Sequence, residues 1–217
     1  MRIMCFHLMP YMALDLTKVP DNECLWVTFP NSHYDPKEGS KLYERYLDEL
    51  EFAANCGYHA IGVNEHHQTA YGLMPTPGVL AGALTQRKLN DVYLGVIGRA
   101  LPLLENPLSV AEEYALIDNL TKGKLIAGFV RGIGAEYHSS GVNPGESLER
   151  FHEGHDLILQ SWTQEGPSQF HGKYYNHRYV NIWPTPYQKP HPETVSYTHL
   201  RAHETLRYLV CRLLLEK

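Results

Sequence analysis

The sequence is poor in cysteine and lacks any long apolar run. Four cysteines occur among 217 residues, and none forms a C-x-x-C pair. This excludes a disulfide-rich scaffold and gives no sign of a zinc motif. No run of about 18 apolar residues occurs, and the N-terminus lacks the basic and apolar succession of a secretory signal. We therefore expect a cytoplasmic protein that does not cross a membrane.

Basic residues are not in excess either. The chain has 19 Lys and Arg against 24 Asp and Glu, a formal net charge of −5 at pH 7. Because nucleic acids and anionic membranes are bound through clustered Lys and Arg, this balance argues against both partners. The remaining composition, 43% hydrophobic and 20% charged, is typical of a globular protein. A small organic molecule is therefore the favoured substrate.

Apolar strands alternate with amphipathic helices along the chain. The predicted elements are strands at Met1–Leu8, Tyr58–Asn64, Val92–Ile97 and Leu125–Val130, and helices at Glu38–Cys56, Gly78–Lys88, Pro107–Leu120 and Ser147–Trp162. Short strands are expected within Gly166–Pro192. Four strands, each followed by a helix, predict an α/β fold with a parallel sheet. Periodicity alone leaves open whether the sheet is doubly wound or closed into a barrel.

Polar and glycine-rich segments follow three of these strands. They are Glu65–His67, Gly98–Arg99 and Arg131–Gly134. Ligands of parallel α/β proteins gather at the carboxyl ends of the strands. We therefore expect the three segments to meet on one functional face.

The cluster Glu65-His66-His67 allows three interpretations. It could be a metal site, an acid–base site, or a set of polar groups satisfied within the structure. Neighbouring strand residues point to opposite faces, which disfavours binding of one ion by His66 and His67. A metal-dependent TIM-barrel hydrolase that uses this cluster remains the alternative function.

The other two segments carry weaker signals. Gly98 could permit unusual backbone angles, could let a planar ligand approach, or could form a simple turn. Arg131 suits an anionic group such as phosphate, although a solvated surface arginine has the same pattern. The nearby G-x-G of Gly132–Gly134 is weak support for a dinucleotide site.

Taken together, three stretches of the sequence resemble the luciferase-like flavin monooxygenase family. They are VNEHHQTAYGLMPTP at 63–77, the segment 101–137, and WPTPYQKPHP at 183–192. The resemblance covers Met1–Glu193 and implies a TIM (β/α)8 barrel. It also implies oxidation of a small organic substrate by O2 and reduced FMN, through a flavin hydroperoxide. A separate flavin reductase would supply the FMN, and a deazaflavin is a less favoured alternative.

The resemblance also implies roles for single residues. His66 matches the active-site histidine of the family, which suits an imidazole that exchanges protons near neutral pH. Ile97 and Gly98 match a non-prolyl cis peptide beside the flavin, and Arg131, followed by Gly132, matches an arginine that contacts the flavin. Val130 stands where light-emitting members have cysteine, which argues against bioluminescence.

Further residues are expected around the same pocket. Glu65 matches a position that shapes the cofactor pocket or a subunit interface, and His67 lies beside it. His7 and Tyr71 are pocket candidates by location only. The resemblance also implies a homodimer, whereas the identity of the substrate stays open.

The C-terminal segment differs in texture from the rest of the chain. All 17 glycines and 14 prolines lie before residue 195. Segment 195–217 could be an amphipathic helix, but it resembles a translated sequencing-adapter or vector stretch, and we interpret it as a non-native tail. Residues 1–194 would then form only the first half of the barrel. We expect such a fragment to be poorly active, with unpaired edges at the first strand and at Leu125–Val130.

Overall fold

The computed structural model describes residues 2–15, 17, 24 and 26–196. Within these ranges, five strands form a parallel sheet and two form an antiparallel hairpin. The helices are α1 (Pro36–Asn55), α2 (Pro77–Leu84), α3 (Leu108–Leu120), α4 (Gly134–Ser140) and α5 (Ser147–Thr163). The strands are β1 (Met4–Phe6), β2 (Ala60–Val63), β3 (Tyr93–Ala100), β4 (Leu125–Val130), β5 (Ser168–His171), β6 (Asn176–Val180) and β7 (Glu193–Ser196).

The order of the large sheet is β1-β2-β3-β4-β7, and every neighbouring pair is parallel. A doubly wound sheet reverses its strand order at a switch point, whereas a (β/α)8 barrel adds each strand beside the previous one. The sequential order is therefore that of a barrel. The predicted α/β class is confirmed, and the choice left open by periodicity falls on the barrel.

Helix α1 shows how local sequence sets the elements. Asp35 caps its first turn by accepting a hydrogen bond from the N–H of Lys37, and Pro36 occupies the first turn, where no N–H is needed. Tyr46, Leu50 and Ala53 follow at helical spacing and are buried. They form the inward face of α1 and pack into the main hydrophobic core.

Strands β3 and β4 approach closely at Gly128. A Cβ atom at this position would lie 2.6 Å from Ile97 Cα and 2.8 Å from the Val96 carbonyl oxygen. The buried Tyr114 hydroxyl of α3 lies 3.4 Å from the Val96 oxygen and 3.3 Å from the Gly128 oxygen. The missing side chain therefore lets the carboxyl ends of the two strands lie side by side.

The prediction of an unpaired edge at Leu125–Val130 is wrong. Strand β7 pairs with β4 in parallel, from Glu193 opposite Ile126 to Ser196 opposite Phe129. The first two residues of the segment interpreted as a tail, Val195 and Ser196, thus lie in this strand. The rest of that segment lies outside the described residues, so its interpretation stays a prediction.

Candidate active site

The carboxyl ends of β1 to β4 enclose a cavity of about 370 Å³, which we call the rim cavity. The lining includes all six residues predicted to act in catalysis or cofactor binding: Glu65, His66, Ile97, Gly98, Arg131 and Gly132. Strand β1 adds Phe6, and α4 adds Glu136. The three chain segments expected to meet on one face therefore do meet, whereas the roles of the six residues stay predictions.

His66 forms a pair with Glu136, which sequence reasoning missed. The Nδ1 atom of His66 lies 3.1 Å from Oε1 of Glu136. Glu136 is only 5% exposed, and its Oε2 accepts the backbone N–H of Ile133 at 2.9 Å. Because an ionised carboxylate can only accept, Nδ1 of His66 must donate, and its Nε2 is then the ring atom able to take up a proton.

Glu65 belongs to a buried charge network. Its Oε1 lies 2.8 Å from Nε2 of His67, and its Oε2 lies 2.8 Å from Nη1 of Arg99 as an ion pair. Nη2 of Arg99 lies 3.8 Å from Oε2 of Glu113 on α3. The hydrogen bond to Glu65 raises the pKa of His67, and burial raises the pKa of Glu113. The network joins β2, β3 and α3 and fixes Glu65 at the cavity.

The expected cis peptide between Ile97 and Gly98 is wrong. Within the described ranges, the cis bonds all precede proline, at Gly166–Pro167, Trp183–Pro184 and Lys189–Pro190. Strand β3 bends here by another route, because Gly98 has a φ of +115° and the register with β4 shifts between Val96 and Arg99. Glycine adopts that φ readily, so no cis bond is needed to bring both residues to the rim.

Arg131 is held where β4 ends. Its Nη2 donates to the Ser147 hydroxyl at the start of α5 over 2.8 Å, and its backbone oxygen accepts from the Tyr137 hydroxyl. The side chain is otherwise exposed to solvent. Its remaining N–H groups can therefore bind an anionic ligand oxygen at the rim.

Asn64 is a second residue that sequence reasoning missed. It lines the rim cavity and is 6% exposed, and its Oδ1 has no hydrogen-bond donor among the described residues. A buried acceptor without a donor costs free energy. Asn64 therefore keeps an acceptor at the cavity wall for which the described residues supply no donor.

His7 is not among the residues that line the rim cavity, and its place in a substrate pocket stays a prediction. Its Nε2 lies 2.9 Å from Oε2 of Glu49, and its Nδ1 accepts the backbone N–H of Met9 at 2.8 Å. The ring also packs on Tyr46, with centroids 4.6 Å apart. The imidazole is thus bound between β1 and α1, because both ring nitrogens have partners there.

Tyr71 lies beside the site without lining the rim cavity. Its ring centroid is 5.5 Å from that of His66 and 4.3 Å from that of Trp26. His67 faces Glu65, so the two adjacent histidines point to different carboxylates. In the part of the chain that the structure describes, no three His, Cys, Asp or Glu side chains are arranged to hold a metal ion.

None of the described helices is long and apolar enough to cross a bilayer.

The site combines a barrel-type sheet with a paired histidine, glycines and an arginine at the strand ends. The luciferase-like monooxygenase family matches residues 23–198 of the chain. The chain belongs to this family.

Two relatives illustrate the match. The oxygenase component of flavin-dependent trigonelline monooxygenase from Acinetobacter baylyi is 27% identical over 161 residues, covering 73% of this chain and 44% of that protein. FMNH2-dependent dimethylsulfone monooxygenase from Pseudomonas putida is 30% identical over 155 residues, covering 70% of this chain and 38% of that protein. The chain therefore spans less than half the length of either relative.

Solved structures show the same fold. Monooxygenase RslO1 from Streptomyces bottropensis is 25% identical with a TM-score of 0.71, covering 90% of this chain and 53% of that chain. The oxygenating constituent of 3,6-diketocamphane monooxygenase from Pseudomonas putida, in complex with FMN, is 16% identical with a TM-score of 0.68 and coverages of 90% and 51%. An F420-dependent secondary alcohol dehydrogenase is 18% identical with a TM-score of 0.61 and coverages of 71% and 48%. The chain has the luciferase-like TIM-barrel fold and covers about half the length of each of these three chains.

Proposed function

We propose that the chain acts in the cytoplasm as part of a flavin-dependent monooxygenase, which uses reduced FMN and O2 to oxidise a small organic molecule. The observation that carries this proposal is the convergence of three strand-end segments on the rim cavity of a luciferase-like barrel. Family membership favours this function over a metal-dependent hydrolase. When bound, reduced FMN would supply the electrons that activate O2.

The rim cavity has features that fit FMN. Arg131 can bind an anionic oxygen of the cofactor, and the buried Oδ1 of Asn64 can accept one of its N–H groups. Gly98 and Gly132 line the cavity with backbone alone, so a planar ring can approach closely. These four residues, with Ile97 and the buried Glu65, would hold the cofactor.

His66 would handle the proton that accompanies oxidation. Glu136 orients its ring and leaves Nε2 as the atom that takes up a proton. An imidazole suits this task because one ring nitrogen can donate a hydrogen bond while the other accepts a proton. Glu136 is thus a positioning residue that acts through His66.

The partners are also part of the proposal. The trigonelline relative is described as an oxygenase component, which supports delivery of reduced FMN by a separate reductase. A homodimer is expected by resemblance. A deazaflavin remains the less favoured cofactor, since the F420-dependent dehydrogenase is similar in fold alone.

Anaerobic titration with reduced FMN tests the proposal. The 217-residue chain should bind it saturably and more tightly than it binds reduced F420. Arg131→Ala should weaken binding about tenfold, because it removes a charged hydrogen bond worth about 1.5 kcal/mol. Arg178→Ala, which removes an exposed arginine of β6, is the matched control and should leave binding unchanged. Absence of saturable flavin binding would reject the proposal.

A second readout tests the oxidation itself. Turnover under ¹⁸O2 should place labelled oxygen in an organic product only when reduced FMN is present. The rate should be low, because the chain spans less than half of its relatives. Stoichiometric zinc in the purified protein, with turnover that needs neither flavin nor O2, would point to the hydrolase instead.

A further inference from the structure

A second cavity lies on the other side of His66. It has a volume of about 560 Å³ and lies between the loop that follows β1 and the loop that joins β2 to α2. We call it the aromatic cavity, because its wall contains five aromatic or imidazole rings besides His66: Tyr11, Phe29, His33, Tyr34 and Tyr43. His66 lines both this cavity and the rim cavity. A molecule bound here would meet the histidine that faces the proposed flavin site.

The rings of the wall are arranged in contact with one another. The centroids of Tyr11 and Tyr34 are 5.0 Å apart, and the rings of Phe29 and His33 are stacked at 4.7 Å. Two hydroxyls fix the wall further: that of Tyr11 accepts the Asp35 N–H at 2.9 Å, and that of Tyr43 donates to the Leu73 oxygen at 2.7 Å. Such a wall offers ring faces and edges to a planar guest.

Helix α1 is adapted to this wall at Gly39. The residue is buried in the second turn of the helix, and a Cβ atom there would overlap the Tyr34 hydroxyl. Glycine inside a helix costs about 1 kcal/mol relative to alanine. Because Gly39 has no side chain, the Tyr34 ring fits against α1, where it forms part of the cavity wall.

The lack of charged side chains in the described lining limits the kind of molecule that the aromatic cavity can bind. Among the described residues that line the aromatic cavity, none is Asp, Glu, Lys or Arg. The described lining offers an organic anion neither Lys nor Arg in return for its lost hydration, whereas a neutral ring would lose little. The volume lies within the range of small-molecule sites, about 300–1,000 Å³.

We propose that the aromatic cavity binds the substrate, and that this substrate is an uncharged aromatic molecule. As the substrate assignment, this inference rests on the proposed function. The ring of the guest lies against Tyr34 and Phe29, and its reacting edge faces His66. Alkanesulfonates and other organic anions are poor guests.

A matched pair of probes tests the inference by equilibrium dialysis without flavin. The chain should bind 2-naphthol saturably and should bind naphthalene-2-sulfonate at least about tenfold more weakly, because the two share a ring system and differ in charge. Gly39→Ala should weaken naphthol binding about tenfold by displacing Tyr34. Gly82→Ala in α2, where a Cβ atom would have nothing within 4 Å, is the control and should leave binding unchanged.

A second variant keeps the test decisive if Gly39→Ala does not fold. Phe29→Ala should weaken naphthol binding, whereas Phe52→Ala, at a side chain that is 72% exposed, should not. Equal binding of the two probes, or binding that survives loss of Phe29, would overturn the inference. If the chain binds reduced FMN but does not bind naphthol, only the assignment of the aromatic cavity as the substrate site is overturned. If the chain binds naphthol but fails to bind reduced FMN, the proposed function is overturned and only an aromatic binding site is left.

Discussion

Adjacent histidines in the rim region have separate carboxylate partners. His66 pairs with Glu136 of α4, and His67 pairs with Glu65 of β2's carboxyl end. Because the two imidazoles face different carboxylates, they have different surroundings and different roles. His67 is held in a buried charge network, while His66 faces both cavities. His66 is therefore the histidine to which we assign the proposed proton transfer.

The variant Glu136→Gln tests whether Glu136 determines the tautomer of His66. A glutamine amide can donate to Nδ1, which would move the ring proton of His66 to Nε2. We expect ¹⁵N NMR of histidine-labelled protein to show Nδ1–H for His66 in the parent chain and Nε2–H in the variant. Oxygenation should fall about 100-fold, because a general base would be lost, with little change in binding of reduced FMN.

The control for this variant is Glu105→Gln, which removes the charge of an exposed glutamate without altering the site. It should change neither the tautomer nor the rate. An unchanged His66 tautomer in Glu136→Gln would show that Glu136 does not position the ring. A fall in rate together with lost flavin binding would indicate a structural role only.

His67 should make the stability depend on pH. Its hydrogen bond to Glu65 raises its pKa above the ordinary value of 6.5, so the protonated ring stabilises the folded chain below that pH. The contribution is lost as pH rises through the raised pKa. His67→Gln should therefore lower the free energy of unfolding by about 1 kcal/mol near pH 6, and by less near pH 9.

Urea unfolding at both pH values measures this difference. His152→Gln, at an exposed ring of α5, should show no such trend. Glu113, whose pKa is raised by burial, titrates in both proteins and largely cancels in the comparison. An equal loss of stability at both pH values would show that the charge of His67 is not involved.

The residues that sequence analysis predicted and missed differ in how they reach the site. Glu65, His66 and Arg131 lie within three residues of the end of a strand, so a rule about strand ends and a family resemblance are enough to predict their convergence. Glu136 reaches His66 only because α4 turns back over the strand ends. Asn64 is a candidate because its side-chain Oδ1 is buried and has no donor among the residues that the structure describes. Neither the position of α4 nor the burial of the Asn64 side chain can be predicted from the spacing of residues in the sequence.

At the scale of elements, the predicted helices and strands agree best with the structure where the local sequence pattern is strongest. The predicted strand Leu125–Val130 matches β4, since its apolar run is bounded by Lys124 and Arg131. The prediction that a helix begins at Ser147 or a neighbour is also confirmed, because α5 begins at Ser147. Two elements were missed: α4 has seven residues and begins at glycine, and β7 has the polar sequence ETVS. Both depend on long-range contacts, which periodicity does not record.

At the scale of the whole molecule, one buried carboxylate connects the last strand to the rest. Asp118 of α3 is 0% exposed and accepts from the backbone N–H and the side-chain amide of Gln188, at 2.8 and 2.7 Å. The same amide donates to the Leu125 oxygen at the start of β4 over 2.9 Å. The segment that leads into β7 is thereby held against α3 and β4, so the fifth strand can extend the sheet.

Asp118→Ala tests this connection. It leaves two part-buried donors of Gln188 without their acceptor, which should cost about 2 kcal/mol of unfolding free energy. Hydrogen exchange should accelerate in β7 more than in β1, because β7 depends on the docked segment while β1 pairs with β2 at the opposite edge. Asp156→Ala on the exposed face of α5 is the control and should change neither quantity by more than about 0.5 kcal/mol. If exchange accelerates equally in β1 and β7, Asp118 supports the whole domain and does not specifically dock the last strand.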